Sequence, residues 1–185
     1  MVWSTVSVTM SLLVGLSMTR LLTGLVAIFR ARDRAELDWI PIAWTLVMLV
    51  TLLETWMSLN FLPKLEETFS FGEYLGLGGT MMLLYAAAAL LLPPGEIGKG
   101  ESLKTYFSEE GRFALPIYAL FLSAGAIVNV RMLQAPVMAP WLALDIPLII
   151  LPIVVFVARS RRAESIVTGI YVPLFILDLY VSLIS

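Results

Sequence analysis

Five ionisable side chains stand inside long apolar stretches of this sequence: Arg20, Glu54, Arg131, Asp145 and Asp178. A charge placed in hydrocarbon costs about 2.5–3.5 kcal/mol or more, so such a group faces a protein interior or a wet cavity. Carboxylates and guanidinium groups in that setting do two kinds of work. As ion pairs, Arg20 with Glu54 and Arg131 with Asp145 or Asp178, they key helices together. As a layer of acids, they line a path for protons or cations. Other chemistries are excluded by composition. The chain has no cysteine and no histidine. That removes disulfides and thiol chemistry, the usual ligands of haem, copper and zinc, and the commonest general base. No catalytic residues, no metal site and no cofactor are expected.

These groups must be held by elements that hydrocarbon can solvate. Of the 185 residues, 59% are hydrophobic and 14% are charged, where a soluble domain is about a quarter charged. A spanning helix needs about 20 mostly apolar residues, at about 1.5 Å of rise each, to cross a core of roughly 30 Å. Six windows meet this: residues 2–29, 40–62, 74–92, 113–133, 140–158 and 165–184. Prolines at 41, 63, 93, 94, 136 and 140 mark several of their edges, where a missing amide donor fits a helix end. The fold class is therefore all-α: a polytopic bundle of six transmembrane helices in a single domain, residues 1–185.

The first window is read as a retained helix and not as a signal peptide. Its basic residues, Arg30, Arg32 and Arg34, follow the apolar stretch instead of preceding it. Orientation follows from the remaining basic residues. The first, third and fifth connections carry Arg30, Arg32 and Arg34; Lys99, Lys104 and Arg112; and Arg159, Arg161 and Arg162. The second and fourth carry Lys64 and Arg131 alone. Basic loops stay with the cytosol, which puts both termini outside. Trp3, Trp39, Trp56 and Trp141 fall near the membrane–water boundaries this implies.

Position along each helix converts into depth. Counted from the helix midpoints, Glu54, Asp145 and Asp178 all fall about 5 Å to the outer side of the membrane centre. Arg131 lies higher, near the outer surface. Arg20 falls on the inner side, from which an extended side chain can reach upward. Small and polar residues recur at helical spacing beside these groups: Ser17, Arg20, Gly24 and Ala27 on the first helix, and Thr51, Glu54, Thr55 and Ser58 on the second. Pro147 and Pro152 on the fifth helix and Pro173 on the sixth each remove a backbone donor in mid-span. The freed carbonyls either bind cations or are satisfied by neighbouring side chains and water.

On the third helix, Gly72, Gly76 and Gly79 are read as helix-packing residues, since small-x-x-x-small spacing lets backbones approach closely. Packing within one subunit is preferred to a dimer interface. In the third connection, Leu103, Tyr106 and Phe107 share a helical face, which predicts a short interfacial helix near residues 102–110. The two halves of the chain show no internal repeat.

The first helix contains Gly15-Leu16-Ser17-Met18-Thr19-Arg20-Leu21-Leu22-Thr23-Gly24, followed by an arginine-rich turn and Trp39. This pattern resembles uncharacterised multi-pass inner-membrane proteins of proteobacteria. The resemblance covers mainly the first two helices. It implies location in a bacterial inner membrane and carries no activity with it.

Three functions of different classes fit such a chain. A channel, carrier or proton-coupled component would use Glu54, Asp145 and Asp178. A non-catalytic accessory or scaffold subunit of a larger membrane complex would use the charges as structural pairs. An enzyme acting on lipid or an isoprenoid carrier would need a recognisable constellation of site residues, and none is apparent. The transport reading is preferred, because a scaffold does not require three acids at one depth. The partners expected are the lipid bilayer and a homo-oligomer or larger membrane complex. Net charge of −2 and the absence of a basic patch exclude nucleic acid.

Overall fold

On the first helix, α1 (Trp3–Ala31), buried positions recur as Met10, Val14, Ser17, Leu21, Gly24, Ile28 and Ala31. That three-and-four spacing is one face of an α-helix. The opposite face exposes Val8, Leu12, Leu16, Leu22, Val26 and Phe29. A helix that is apolar all round belongs in apolar surroundings.

The computed structural model describes residues 3–33, 35–61, 70–95, 102–132, 142–158 and 160–184. Within them α1 is followed by α2 (Trp39–Phe61), α3 (Phe71–Leu91), a short α4 (Leu103–Glu109), a 3₁₀ turn at Gly111–Phe113, α5 (Ala114–Met132), α6 (Leu142–Val157) and α7 (Arg161–Ile184). The protein is all-helical, as its apolar pattern predicts. Five segments are long and apolar enough to cross a membrane: Ser7–Ala31, Trp39–Asn60, Phe71–Leu91, Gly111–Val128 and Arg161–Ser182. The sixth apolar helix, α6, has 16 described residues. At about 1.5 Å each they reach about 24 Å, short of a hydrocarbon core of roughly 30 Å.

The long helices pack as a closed ring in the order α1, α3, α5, α6, α7, α2 and back to α1, with α2 also touching α3. At one end of this ring, where α1, α3 and α6 finish and α2, α5 and α7 begin, the helix termini are capped from neighbouring elements. The Oδ1 atom of Asp38 accepts the Ile40 N–H at 3.1 Å and opens α2. At the other end, Ser70 and Glu73 form a reciprocal capping box that opens α3.

The carboxyl end of α3 shows the logic of the basic end most clearly. Pro93 and Pro94 have no N–H, so the carbonyls four residues earlier, Ala89 and Leu90, lose their helical donors. Arg20 donates to Ala89 O at 3.1 Å and to Leu92 O at 2.6 Å. The Tyr106 hydroxyl donates to Leu90 O at 3.0 Å and Leu92 O at 3.2 Å. Burial, and next the charge of Glu110, hold that hydroxyl above its ordinary pKa, with Arg20 opposing. It therefore stays protonated and donating throughout the neutral range. Arg112 does the same service for α6, donating to the carbonyls of Phe156 and Ala158. Cationic groups at helix carboxyl ends also meet the negative pole of the helix dipole.

Helix α4 is seated by full burial of Leu103 and Phe107, and its start pairs with the connection before α2 through Leu103 N–H to Glu36 O at 3.1 Å. Close backbone approach occurs at two glycines. A Cβ on Gly24 would meet Leu92 Cδ1 at 2.7 Å, and one on Gly111 would meet Leu91 O at 2.8 Å. The glycines expected to pack α3 do not behave this way. Around Gly76 and Gly79 nothing lies within 4 Å of a Cβ position, and Gly72 meets only the Ser70 hydroxyl at 4.0 Å. The reason is rotation: α3 turns Leu77, Thr80, Met81, Leu84, Ala87, Ala88 and Leu91 inward, and this leaves the glycine face outside the subunit.

Candidate functional site

The inward face of α7 carries Glu164, Thr168, Tyr171, Phe175 and Asp178, again three and four residues apart. The facing side of α2 carries Trp44, Thr51 and Glu54, with Asp38 just before its start. Between them, and closed by α5 and α6, lies a cavity of about 140 Å³. Glu54, Asp145 and Asp178 all line it, one each from α2, α6 and α7. The remaining wall is Thr51, Tyr171 and Phe175 together with Phe121, Gly125 and Leu148 and their neighbours. A second space of about 250 Å³ shares Thr51, Glu54, Phe121 and Gly125 with the first and reaches Thr55, Ser58 and Ser182. These last residues lie toward the end of the bundle away from Asp38 and Arg161.

The acids converge, but the arginines do not join them. The ion pairs among the described residues are Arg32 with Asp33, and Arg161 with both Asp38 and Glu164. None involves Glu54, Asp145 or Asp178. An Arg20–Glu54 pair is not formed, because the Arg20 guanidinium is committed to the proline-orphaned carbonyls at the end of α3. Arg20 instead borders a separate notch of about 240 Å³ with Thr23, Arg30, Pro93 and Pro94. The side chain of Arg131 lies outside the described residues, as do those of Trp3 and Trp141.

Most hydroxyls of the polar stripes are satisfied within their own helices. Ser17 donates to Leu13 O, Thr45 to Pro41 O, Thr51 to Val47 O, Thr55 to Thr51 O and Thr80 to Gly76 O. Such back-bonding lets a hydroxyl sit in apolar surroundings. A stripe of serine and threonine is thus no sign of water by itself.

Below the acid cavity lies a column of aromatic and hydroxyl groups. Trp44 stacks obliquely on Tyr171 with centroids 4.4 Å apart and meets the edge of Tyr118 at 6.3 Å. Its Nε1 donates to Thr168 Oγ1 at 3.1 Å. The Tyr118 and Thr51 hydroxyls are 2.7 Å apart and share a hydrogen bond. Tyr171 lines the cavity and is fully buried; its hydroxyl neighbours that of Tyr118 and makes no hydrogen bond of normal geometry. At the foot of the column Arg161 joins Asp38 and Glu164, whose exposures are 7% and 5%.

Sequence reasoning misses this column. Trp44, Tyr118, Thr168 and Tyr171 are ordinary membrane-helix residues, and Asp38 and Glu164 sit at helix starts where an acid needs no further explanation. The period along α7 from Glu164 to Asp178 is the signal that would have found them. Comparison with protein-family models, with curated proteins and with solved structures gives no match.

Proposed function

We propose that this protein is an integral membrane protein of transport or channel type, linked to protons or cations through Glu54, Asp145 and Asp178. The carrying observation is that three carboxylates from three helices line one cavity, with no cation partner among the described residues. Charge compensation in such a space falls to a proton or to a bound cation, since an uncompensated buried charge is strongly destabilising. The order of polar groups along α2 and α7 supports a route across the bundle. Ser58 and Ser182 stand at one end, the acids and the Thr51–Tyr118 and Trp44–Thr168 pairs follow, and the Asp38–Arg161–Glu164 cluster closes the other end.

In this reading six helices, α6 among them, span a bacterial inner membrane. Both termini then lie outside, and the arginine-rich end of the bundle faces the cytosol. The test is cation and proton flux into liposomes holding the purified chain. Flux that falls at least tenfold in Asp145→Asn and Asp178→Asn supports the proposal. Flux indifferent to both removes it.

A second reading, an accessory subunit of a larger complex or a homo-oligomer, is favoured by one observation. Gly72, Gly76 and Gly79 present a small-residue face on which a Cβ would meet no neighbouring helix, and such faces suit close helix contact between chains. Mild-detergent extraction should then bring down a stable assembly that Gly76→Leu disperses.

A further inference from the structure

Three properties of the acid cavity bear on what enters it. The first is spacing. Among the described residues no three Asp or Glu side chains come together at distances that would hold a metal ion, although all three acids border the same space. A hard cation such as Ca²⁺ takes six to eight oxygens at about 2.3–2.6 Å, a grouping these acids do not form. The second is the wall. Between the carboxylates it is made of the rings of Phe121, Tyr171 and Phe175 and the aliphatic side chains of Leu148 and Ile149. Aromatic faces attract cations whose charge sits on a carbon-bearing group and whose desolvation is cheap. The third is Tyr171, a fully buried residue that lines the same space and whose hydroxyl, beside that of Tyr118, makes no hydrogen bond of normal geometry. A buried hydroxyl left unpaired costs free energy that a ligand hydrogen bond recovers.

The volume matters too. About 140 Å³, beside a second space of about 250 Å³ that shares four of its lining residues, is far beyond the ~10–15 Å³ that one water requires. It suits a compact organic body.

We propose that the cavity binds a protonated organic amine, its ammonium group between Glu54, Asp145 and Asp178 and within reach of the Tyr171 hydroxyl, its apolar body against Phe121, Phe175 and Leu148. The assignment rests on the transport reading above and names the substrate class of the same site. An ammonium group carries up to three N–H donors, each able to meet one acceptor on the cavity wall. The ring faces and aliphatic wall take the body, as they would take no inorganic ion.

The experiment is calorimetric titration of the full chain in nonionic detergent with benzylammonium, and in parallel with benzyl alcohol, NaCl and KCl. Saturable benzylammonium binding is expected, with benzyl alcohol at least tenfold weaker. Tyr171→Phe should weaken binding severalfold, and Asp178→Asn or Glu54→Gln at least tenfold. Gel filtration and helical circular dichroism identify any variant that fails to fold, and the remaining two then decide the matter. Equal binding of alcohol and ammonium, or ammonium binding unchanged in the folded acid variants, overturns the proposal. Acid-dependent proton or sodium flux without ammonium binding overturns the amine assignment and leaves the transport reading standing. Ammonium binding that depends on the acids, with no flux of any cation, upholds the site and removes transport.

Discussion

The indole Nε1 of Trp44 donates to the hydroxyl of Thr168 at 3.1 Å, joining α2 to α7 in the middle of the bundle. Both side chains are completely buried. Thr168→Val keeps the shape and removes the acceptor, leaving the indole N–H without a partner. The expected cost is about 1–3 kcal/mol, read as a lower midpoint in thermal unfolding in detergent. Trp44 emission should shift at the same time.

Arg161 serves two carboxylates at once, Asp38 and Glu164. Removing one partner from a buried ion pair costs roughly 3–5 kcal/mol. Arg161→Gln should fall toward the lower end, because 28% of the arginine side chain is exposed. Adding Asp38→Asn and Glu164→Gln to that variant should restore much of the loss. Failure of the triple variant to recover would mean that the cluster contributes packing more than charge.

Arg20 is predicted to matter for assembly and not for passage of ions. Arg20→Met strips the Ala89 and Leu92 carbonyls of a charged donor and should cost about 1.5–3 kcal/mol. Flux per folded molecule should stay unchanged. A variant that is stable yet loses flux would tie Arg20 to the acid cavity after all.

Two glycine-to-alanine changes should have opposite signs. At Gly111 the new methyl meets the carbonyl oxygen of Leu91 at 2.8 Å, and overpacking of this kind costs about 1–3 kcal/mol. At Gly76, inside α3, nothing lies within 4 Å. Alanine there gains up to about 1 kcal/mol of helix propensity. Destabilisation by Gly76→Ala would show that this face is covered by another chain, which connects the measurement to the oligomer question.

The helices are readable in the sequence because hydrocarbon imposes a length and a polarity that few other segments satisfy. What the sequence hides is azimuth. On α1 the buried Val14 and Leu21 and the exposed Leu12, Leu16 and Leu22 are chemically alike, so no amphipathic contrast says which way a helix faces. The level of Glu54, Asp145 and Asp178 follows from counting residues, whereas their meeting depends on α2, α6 and α7 lying around α5's inner face. Gly72 and Gly76 mislead for the same reason: spacing identifies a face without telling which neighbour it meets. Arg20 misleads differently. Its true partners are backbone atoms, and only Pro93 and Pro94, read as two missing donors instead of as a boundary, would have revealed them.

The ring order also has a consequence for biosynthesis. Helix α7 closes the circle by docking on α2, and it supplies Asp178, Tyr171 and Phe175 to the cavity. Of the helices described, α7 leaves the ribosome last, so Glu54 waits in a half-built bundle until that helix docks. A nascent chain stalled before this step holds no enclosed acidic chamber.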